Sequence, residues 1–148
     1  MRVVVQRVAH ASCRVNNEIT GKIDNGILLF IGFKKGETKE DFPKVIRKLQ
    51  GLRIFEDENG KMNKSIVDTN GSFLAISQFT LYGSVAHGMR PSFTEALDYN
   101  IAEEYYLDFV EELRKTGIKV ECGIFGADMK IELLNDGPVT ILIDSEEL

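Results

Sequence analysis

Polar side chains follow an apolar segment in the middle of the chain, in the run Ser77-Gln78-Phe79-Thr80. The apolar segment, residues 72–77, is typical of a central strand, and strand ends that lead into loops are frequent positions for functional groups. Ser77 or Thr80 could attack a carbonyl carbon only with a base nearby, and His87 is the nearest candidate base in the sequence. The alternative is that Ser77 and Gln78 only satisfy backbone groups where the strand ends.

A second candidate element is the dipeptide Gly137-Pro138, which separates two apolar runs, residues 129–134 and 139–143. Proline has no N–H and cannot take a full place in a central strand ladder, so a hairpin turn is the simplest interpretation. Two-residue hairpins, however, favour Asn-Gly or Asp-Gly at their centre, and here Asp136-Gly137 is followed at once by proline. An X-Pro bond can also be cis. The residues alone therefore leave two interpretations open, an ordinary turn or a rigid backbone device.

Recognisable motifs for phosphate or metal binding are missing from the sequence. Gly32 and Gly36 flank Lys34 and Lys35, but the spacing is not that of a P-loop. The two lysines could still bind phosphates as point charges, or they could be solvated turn residues. The two histidines are far apart, and no EF-hand pattern is present. We therefore predict no metal and no cofactor.

Length and composition predict a single domain over residues 1–148. An apolar fraction of 43% and a charged fraction of 28% are typical of a soluble globular protein. No apolar run approaches the roughly 20 residues of a membrane span, and the N-terminus does not have the pattern of a signal peptide. Cys13 and Cys122 lie in apolar segments, as buried free thiols of a reducing compartment do. We therefore expect a cytoplasmic protein.

The charge of the chain is distributed unevenly. Residues 1–53 carry 11 Lys and Arg against 5 Asp and Glu, whereas residues 54–148 carry 7 against 18. The net charge of −5 therefore does not exclude a basic face that binds nucleic acid. A mixed, solvated surface is the alternative.

Strand-like segments outnumber helical ones, which predicts an α+β layered fold and not an alternating parallel one. One helix is expected to begin at the N-cap Thr38 and to end near Gly51. The other should begin near Asn100, with Glu103 completing a capping box, and end at Gly117. The expected strands cover residues 2–15, 18–23, 27–32, 53–56, 65–67, 72–77, 118–122, 129–134 and 139–143.

Five stretches, in order and at matching length, resemble the D-aminoacyl-tRNA deacylase family. The sequence departs from the family pattern at Gly83, where many members have alanine, and at Cys13, where an aliphatic residue is common. The stretches are Met1–Val8 with Ala11-Ser12, Ser77–Leu81, Arg90–Phe93, Phe125–Met129 and Asn135–Thr140.

The resemblance implies a compact three-layer β/β/α domain with mostly antiparallel sheets and two main helices. It also implies a homodimer with active sites at the interface, and tRNA, through its aminoacylated 3′ end, as the partner. The activity implied is hydrolysis of the ester of D-aminoacyl-tRNA, and of glycyl-tRNA mischarged on tRNA(Ala), with rejection of L-aminoacyl-tRNA. Such an enzyme serves translation quality control.

The resemblance also assigns roles to individual residues. Ser77, Gln78, Phe79 and Thr80 would form the catalytic site. Gly137-Pro138 would be a cis pair that enters the partner subunit's site and selects the chirality of the substrate, with Arg7 holding the pair in place. The 2′-hydroxyl of the RNA would assist the attacking water, and Thr80 as a covalent nucleophile is the alternative.

Overall fold

The computed structural model describes all 148 residues. Its regular elements are eight strands, two α-helices and three short 3₁₀ turns, the last at Lys39–Asp41, Phe79–Tyr82 and Ser145–Glu147. The strands and α-helices are β1 (Arg2–Val15), β2 (Glu18–Ile23), β3 (Gly26–Gly32), α1 (Phe42–Gly51), β4 (Phe55–Glu56), β5 (Met62–Lys64), β6 (Ser72–Ser77), α2 (Tyr99–Arg114), β7 (Val120–Cys122) and β8 (Lys130–Asp144).

β1 is the central strand of a six-stranded sheet. On one edge it pairs antiparallel with β8 over almost its whole length. On its other edge it pairs with β3 through its first half and with β2 through its second half, again antiparallel. β6 and β7 continue the sheet beyond β3 in parallel register. The α+β class is confirmed, although the parallel pairings make the sheet mixed.

Apolar side chains form two cores, one on each face of the central strands. β3 shows the alternation, because Ile27 and Leu29 belong to the core under α1 and α2 while Leu28 belongs to the opposite core, which strands alone enclose. β1 changes sides along its length: Val5 packs in the helical core and Cys13 in the other. The central strands are thus covered by further strand segments on one face and by α1 and α2 on the other. The layers follow in the order β/β/α.

The two expected C-terminal strands are one strand, so the hairpin-turn interpretation of Gly137-Pro138 is wrong. Asn135 pairs with Val8 of β1, and Thr140 pairs with Gln6 of the same strand. One residue of β1, Arg7, therefore faces the four-residue segment 136–139. The chain leaves the ladder, makes a loop, and rejoins the same neighbour. Gly137-Pro138 is the centre of that loop.

The capping contacts at the ends of the two helices differ from those expected, and the helix boundaries shift with them. Thr38 caps the 3₁₀ turn that precedes α1, by accepting a hydrogen bond from the N–H of Glu40. The expected capping box at Asn100 is not formed, because α2 begins one residue earlier and its N-cap, Asp98, makes no side-chain bond. Gly117 lies beyond the end of α2 and has a positive φ of 82°.

The expected strand at 65–67 is wrong. These residues form a turn stabilised by the side chain of Asp68, which accepts hydrogen bonds from the N–H and hydroxyl of Ser65. The strand lies just before them, at β5. Neither α1 nor α2 has the length and apolar character that crossing a membrane requires.

Candidate active site

The polar run at the end of β6 forms a sharp turn. The N–H of Gln78 extends the parallel ladder by donating to Ile31 O at 2.7 Å. The chain then enters the 3₁₀ turn at Phe79, and Gly83 N–H closes it on Thr80 O at 2.9 Å. Because Phe79 and Thr80 are the first residues of this turn, their N–H groups have no acceptor within it. Two backbone donors are therefore available beside the end of the strand.

A pocket of about 570 Å³ opens beside this turn. Ser77, Gln78 and Phe79 form one wall, and Thr80 lies outside the lining. The opposite wall comes from the start of α2 and from the loop that precedes β8, where Phe125–Met129 lies. The full lining is Ile76, Ser77, Gln78, Phe79, Phe93, Ala96, Leu97, Asp98, Tyr99, Ala102, Phe125, Gly126, Ala127, Asp128, Met129 and Ile131.

Aromatic rings shape the mouth and the floor of the pocket. Phe79 is 55% exposed, and its ring packs edge-on against Phe93 with centroids 5.1 Å apart. Tyr99 and Phe125 make a similar pair, also at 5.1 Å. Sequence reasoning assigned Phe79 to the site but missed Phe93, Tyr99 and Phe125 as site residues. The signal was present at Phe125–Met129, which resembles a family motif, but nothing in the sequence indicates that this segment lies opposite Ser77.

A Thr80–His87 catalytic pair is not formed. The Thr80 hydroxyl oxygen instead accepts a hydrogen bond from Gln78 Nε2 at 2.5 Å. His87 is exposed in the segment 85–91, beyond the bridge that joins Ser84 and Ser92. No histidine lines the pocket. A side-chain base that would activate Thr80 as a nucleophile is therefore missing.

The charges that line the pocket are negative. Asp98 and Asp128 are its acidic residues, and no Lys or Arg is among the lining. Asp128 binds Lys130 Nζ at 2.9 Å outside the pocket. Burial raises the pKa of the Cys122 thiol, which keeps this neighbouring group protonated and a weak nucleophile. Nowhere in the chain do three His, Cys, Asp or Glu side chains gather as metal ligands would.

Gly137-Pro138 lies in the loop that interrupts β8, and its peptide bond is cis. Gly137 has a φ of 126°, a conformation that glycine tolerates and other residues rarely adopt. Asn135, at the base of the loop, donates from Nδ2 to Arg7 O and to Val139 O, both at 3.0 Å. The side-chain amide of Asn135 thus joins the start of the loop to its last residue and to the neighbouring strand β1. The rigid-device interpretation of the dipeptide agrees with this geometry.

Arg7 anchors the loop from below. Its side chain is buried, and its Nε donates to Asp136 O at 2.9 Å while its Nη1 donates to Ile54 O at 2.6 Å. The Asp136 carboxylate lies 3.7 Å from Nε but is 55% exposed, so the carbonyl contacts dominate. One guanidinium thus joins the loop to the chain segment after α1. A supporting role for Arg7 would require contacts of this kind, and the role itself stays a prediction.

The loop and the pocket are separate regions of one protomer. Arg7 pairs with Ile27, and Ile27 pairs with Phe73, which precedes Ser77 by four positions. With about 3.3 Å per residue and about 4.8 Å between strands, the two regions are on the order of 20 Å apart. None of Arg7, Gly137 and Pro138 lines the pocket. A single chain does not bring the predicted site residues together.

Comparison with known proteins covers the whole chain. The model of the D-Tyr-tRNA(Tyr) deacylase family matches residues 4–144. A D-aminoacyl-tRNA deacylase from Thermotoga petrophila is 53% identical over 148 residues, which cover 100% of this chain and 99% of the relative. Another from Halothermothrix orenii is 52% identical over 147 residues and 99% of each chain.

Solved structures share the fold. One, described as c-Myc DNA Unwinding Element Binding Protein, has a TM-score of 0.91 and 40% identity over 97% of this chain and 98% of its own. A probable eukaryotic D-amino acid tRNA deacylase has a TM-score of 0.77 at 18% identity, over 96% and 97% of the two chains, and its likeness concerns the fold alone. Family model, relatives and fold agree, and the chain is therefore a hydrolase that belongs to the D-Tyr-tRNA(Tyr) deacylase family.

Proposed function

We propose that the protein hydrolyses the ester between a D-amino acid and the 3′-terminal adenosine of tRNA, accepts glycine mischarged on tRNA(Ala), and rejects L-aminoacyl-tRNA. The observation that carries this proposal is the Gly137-Pro138 loop. It leaves an otherwise continuous strand, is fixed by a buried arginine, and contributes nothing to its own protomer's pocket. A backbone element held in this way is suited to complete a site in another copy of the chain.

The working unit we propose is a homodimer in which each loop enters the partner subunit's pocket. About 20 Å separates the loop from Ser77 within one chain, so the loop cannot serve its own pocket. A two-fold axis would exchange the two elements reciprocally, because an isologous interface places the same pair of contacts on both sides. Each active site would then contain Ser77–Thr80 of one protomer and a Gly-Pro loop of the other.

Chirality would be selected by exclusion. The carbonyl oxygens of Gly137 and Pro138 would accept hydrogen bonds from the substrate's α-ammonium group and so fix its direction. With the ammonium and the ester both fixed, a D side chain points to solvent and an L side chain strikes the loop. Glycine carries only hydrogen in the blocked direction, so its acceptance follows from the same geometry.

Catalysis would depend on backbone donors more than on a side-chain nucleophile. The N–H groups of Phe79 and Thr80 open the 3₁₀ turn beside the pocket and could stabilise the oxyanion of the tetrahedral intermediate. Thr80 is engaged by Gln78 and has no base beside it. The 2′-hydroxyl of the terminal ribose would assist the attacking water. Ser77 and Gln78 would position the turn from the end of β6.

Nucleic-acid binding without catalysis is the competing function. The relative described as c-Myc DNA Unwinding Element Binding Protein, at 40% identity, favours it. The two functions predict different products, because only the enzyme releases free amino acid. An assay of turnover therefore separates them where an assay of binding does not.

The decisive experiment is deacylation of matched substrates. D-Tyr-tRNA and L-Tyr-tRNA differ in one stereocentre, and Gly-tRNA(Ala) and L-Ala-tRNA(Ala) differ in one methyl group. We expect hydrolysis of the D-tyrosyl and glycyl esters only. An ordinary apolar pocket separates substrates that differ by one methylene by about 10- to 200-fold, so larger discrimination of glycine from L-alanine supports a rigid barrier. Hydrolysis of none of the four contradicts the enzyme, and hydrolysis of the L-esters contradicts exclusion.

The dimer has its own test. Sedimentation equilibrium should give twice the 16.6 kDa protomer mass at assay concentrations. A monomer that remains fully active would contradict completion of the site by a partner loop, whereas it would leave the hydrolytic activity itself in place.

A further inference from the structure

A cationic groove lies on the far side of α1 from the helical core. Lys44, Arg47 and Lys48 are spaced three and four residues apart and so share one face of the helix. Arg53, just beyond the helix, completes the set that we call the cationic groove. Its volume is about 500 Å³, and no acidic side chain lines it. Only Lys44 has an ion-pair partner, Asp41 at 2.9 Å, so three cations are exposed and unpaired.

The cationic groove is joined to the Gly-Pro loop. Arg53 precedes Ile54, whose carbonyl oxygen accepts the hydrogen bond from Arg7 Nη1. The same guanidinium holds Asp136 of the loop. The loop and the segment that contributes Arg53 to the groove are therefore both bound to the buried side chain of Arg7. If the loop enters a partner's pocket, the groove of the same protomer comes close to that pocket.

The pocket itself cannot neutralise a polynucleotide. Its lining carries two carboxylates and no cation, and α2, which forms one of its walls, is rich in acidic residues. A tRNA whose 3′ end enters this pocket still brings a chain of phosphates past its rim. Phosphate contacts dominate the affinity of nucleic-acid complexes, so the cations must come from outside the pocket lining.

We propose that Lys44, Arg47, Lys48 and Arg53 bind the phosphate backbone of the aminoacyl-tRNA whose ester lies in the partner subunit's pocket. The inference rests on the proposed function and on its dimer. It adds that the two halves of one substrate are bound by different protomers, the ester by one and the phosphates by the other. Arginine suits this role because its planar guanidinium matches phosphate in a bidentate way.

Charge-neutral variants test the groove. The variant is Arg47→Gln/Lys48→Gln/Arg53→Gln. The matched control is Arg14→Gln/Lys22→Gln/Lys119→Gln, three cations away from α1, of which Lys22 and Lys119 line a different polar surface. Each variant is assayed with D-Tyr-tRNA and with the D-tyrosyl ester of adenosine, which lacks phosphates. We expect the ratio of kcat/KM for tRNA to that for the adenosine ester to fall about tenfold in the groove variant, and the salt dependence to weaken by about two to three in the log–log slope.

The other outcomes distinguish failure of the proposed function from failure of the groove proposal. If the unaltered protein hydrolyses neither substrate, the proposed function fails. If it hydrolyses both and the groove variant behaves like the control, the groove proposal fails alone. Lys35→Gln/Arg90→Gln/Lys130→Gln tests exposed cations outside the groove, among them Lys130, which binds Asp128 of the pocket lining. A larger loss there would assign phosphate binding to the rim of the protomer's own pocket and overturn the groove.

A mixed dimer tests which protomer supplies the cations. One subunit carries the three groove substitutions and an intact pocket, and the other carries an intact groove and Ala127→Trp, which fills its pocket. If phosphates are bound in trans, the one open pocket is served by the intact groove, and kcat/KM for tRNA per open pocket matches the unaltered dimer. A value equal to that of the groove-variant homodimer would show binding in cis and contradict the proposal.

Discussion

The turn that follows β6 and the loop that interrupts β8 are both short irregular segments, but different contacts hold them in place. The turn after β6 is held by its own 3₁₀ bonds, by a surface aromatic pair and by the partly exposed Arg2, whose Nη1 donates to Leu81 O at 3.0 Å. Phe79 and Thr80 remain exposed. The Gly-Pro loop is held by ladder pairs on both sides and by a buried guanidinium beneath it. The first region offers accessible donors, and the second offers a fixed shape. Reaction and selection would thus depend on regions of different rigidity.

Removal of the arginine beneath the loop should have the largest effect. Arg7→Ala leaves the carbonyl oxygens of Asp136 and Ile54 without their donor, and we expect a loss of about 2–4 kcal/mol in the free energy of unfolding. A displaced loop should also lower D-Tyr-tRNA deacylation about 100-fold. Chemical denaturation and single-turnover kinetics measure the two effects. Arg14→Ala, on the same strand but exposed, is the control. Equal effects of the two variants would show that the contacts between Arg7 and the loop do not stabilise the loop.

A methyl group on the loop glycine should have the next largest effect. In Gly137→Ala the added Cβ would lie 2.8 Å from Arg7 Nη2 at a φ of 126°. We expect a loss of about 1–3 kcal/mol in stability together with slower deacylation. Gly36→Ala has a positive φ of 83° and nothing within 4 Å of the new Cβ, so it measures the backbone cost alone. If both variants lose the same stability, the contacts of the new Cβ with Arg7 and with Val139, 2.9 Å away at Cγ2, are unimportant.

The turn after β6 should tolerate a methyl group better. Gly83 has a φ of −74°, so Gly83→Ala has no penalty from a positive φ, but its Cβ would lie 2.8 Å from Phe93 Cε1 and 3.0 Å from Thr80 O. Phe93 is 39% exposed and can shift. We expect a loss of no more than about 1 kcal/mol and a change in KM of a few fold. A loss as large as that of Gly137→Ala would show that the turn is as rigid as the loop.

The smallest effect is expected at the Thr80 hydroxyl. If backbone donors and the RNA carry the reaction, Thr80→Ala and Thr80→Ser should keep kcat within about twofold of the unaltered protein. Quenched-flow measurement of D-Tyr-tRNA deacylation with enzyme in excess gives the rate of chemistry directly. A loss of about 10³-fold in Thr80→Ala with unchanged substrate affinity would instead assign the hydroxyl a chemical role.

Sequence reasoning predicted the class of fold and most elements, because period-two and helical patterns mark buried faces directly. It found β6 and the polar run after it. It failed where pairing is non-local: the two apolar runs around Gly137-Pro138 have the appearance of a hairpin, and only their shared partner β1 shows that they are one strand. The far wall of the pocket, at Tyr99 and Phe125, was missed for the same reason.

The strand pairs at Gln6–Thr140 and Val8–Asn135 also make the length of the loop independent of the rest of the fold. Residues could be added between Asp136, which Arg7 holds, and Val139, which packs against the helical core, without a change in strand register or in the distance between the flanking ladder pairs. The reach of the loop is thus a variable that mutation can adjust separately from stability. Variants with longer loops would form a graded series in which the size of substrate that is excluded changes while the scaffold stays constant.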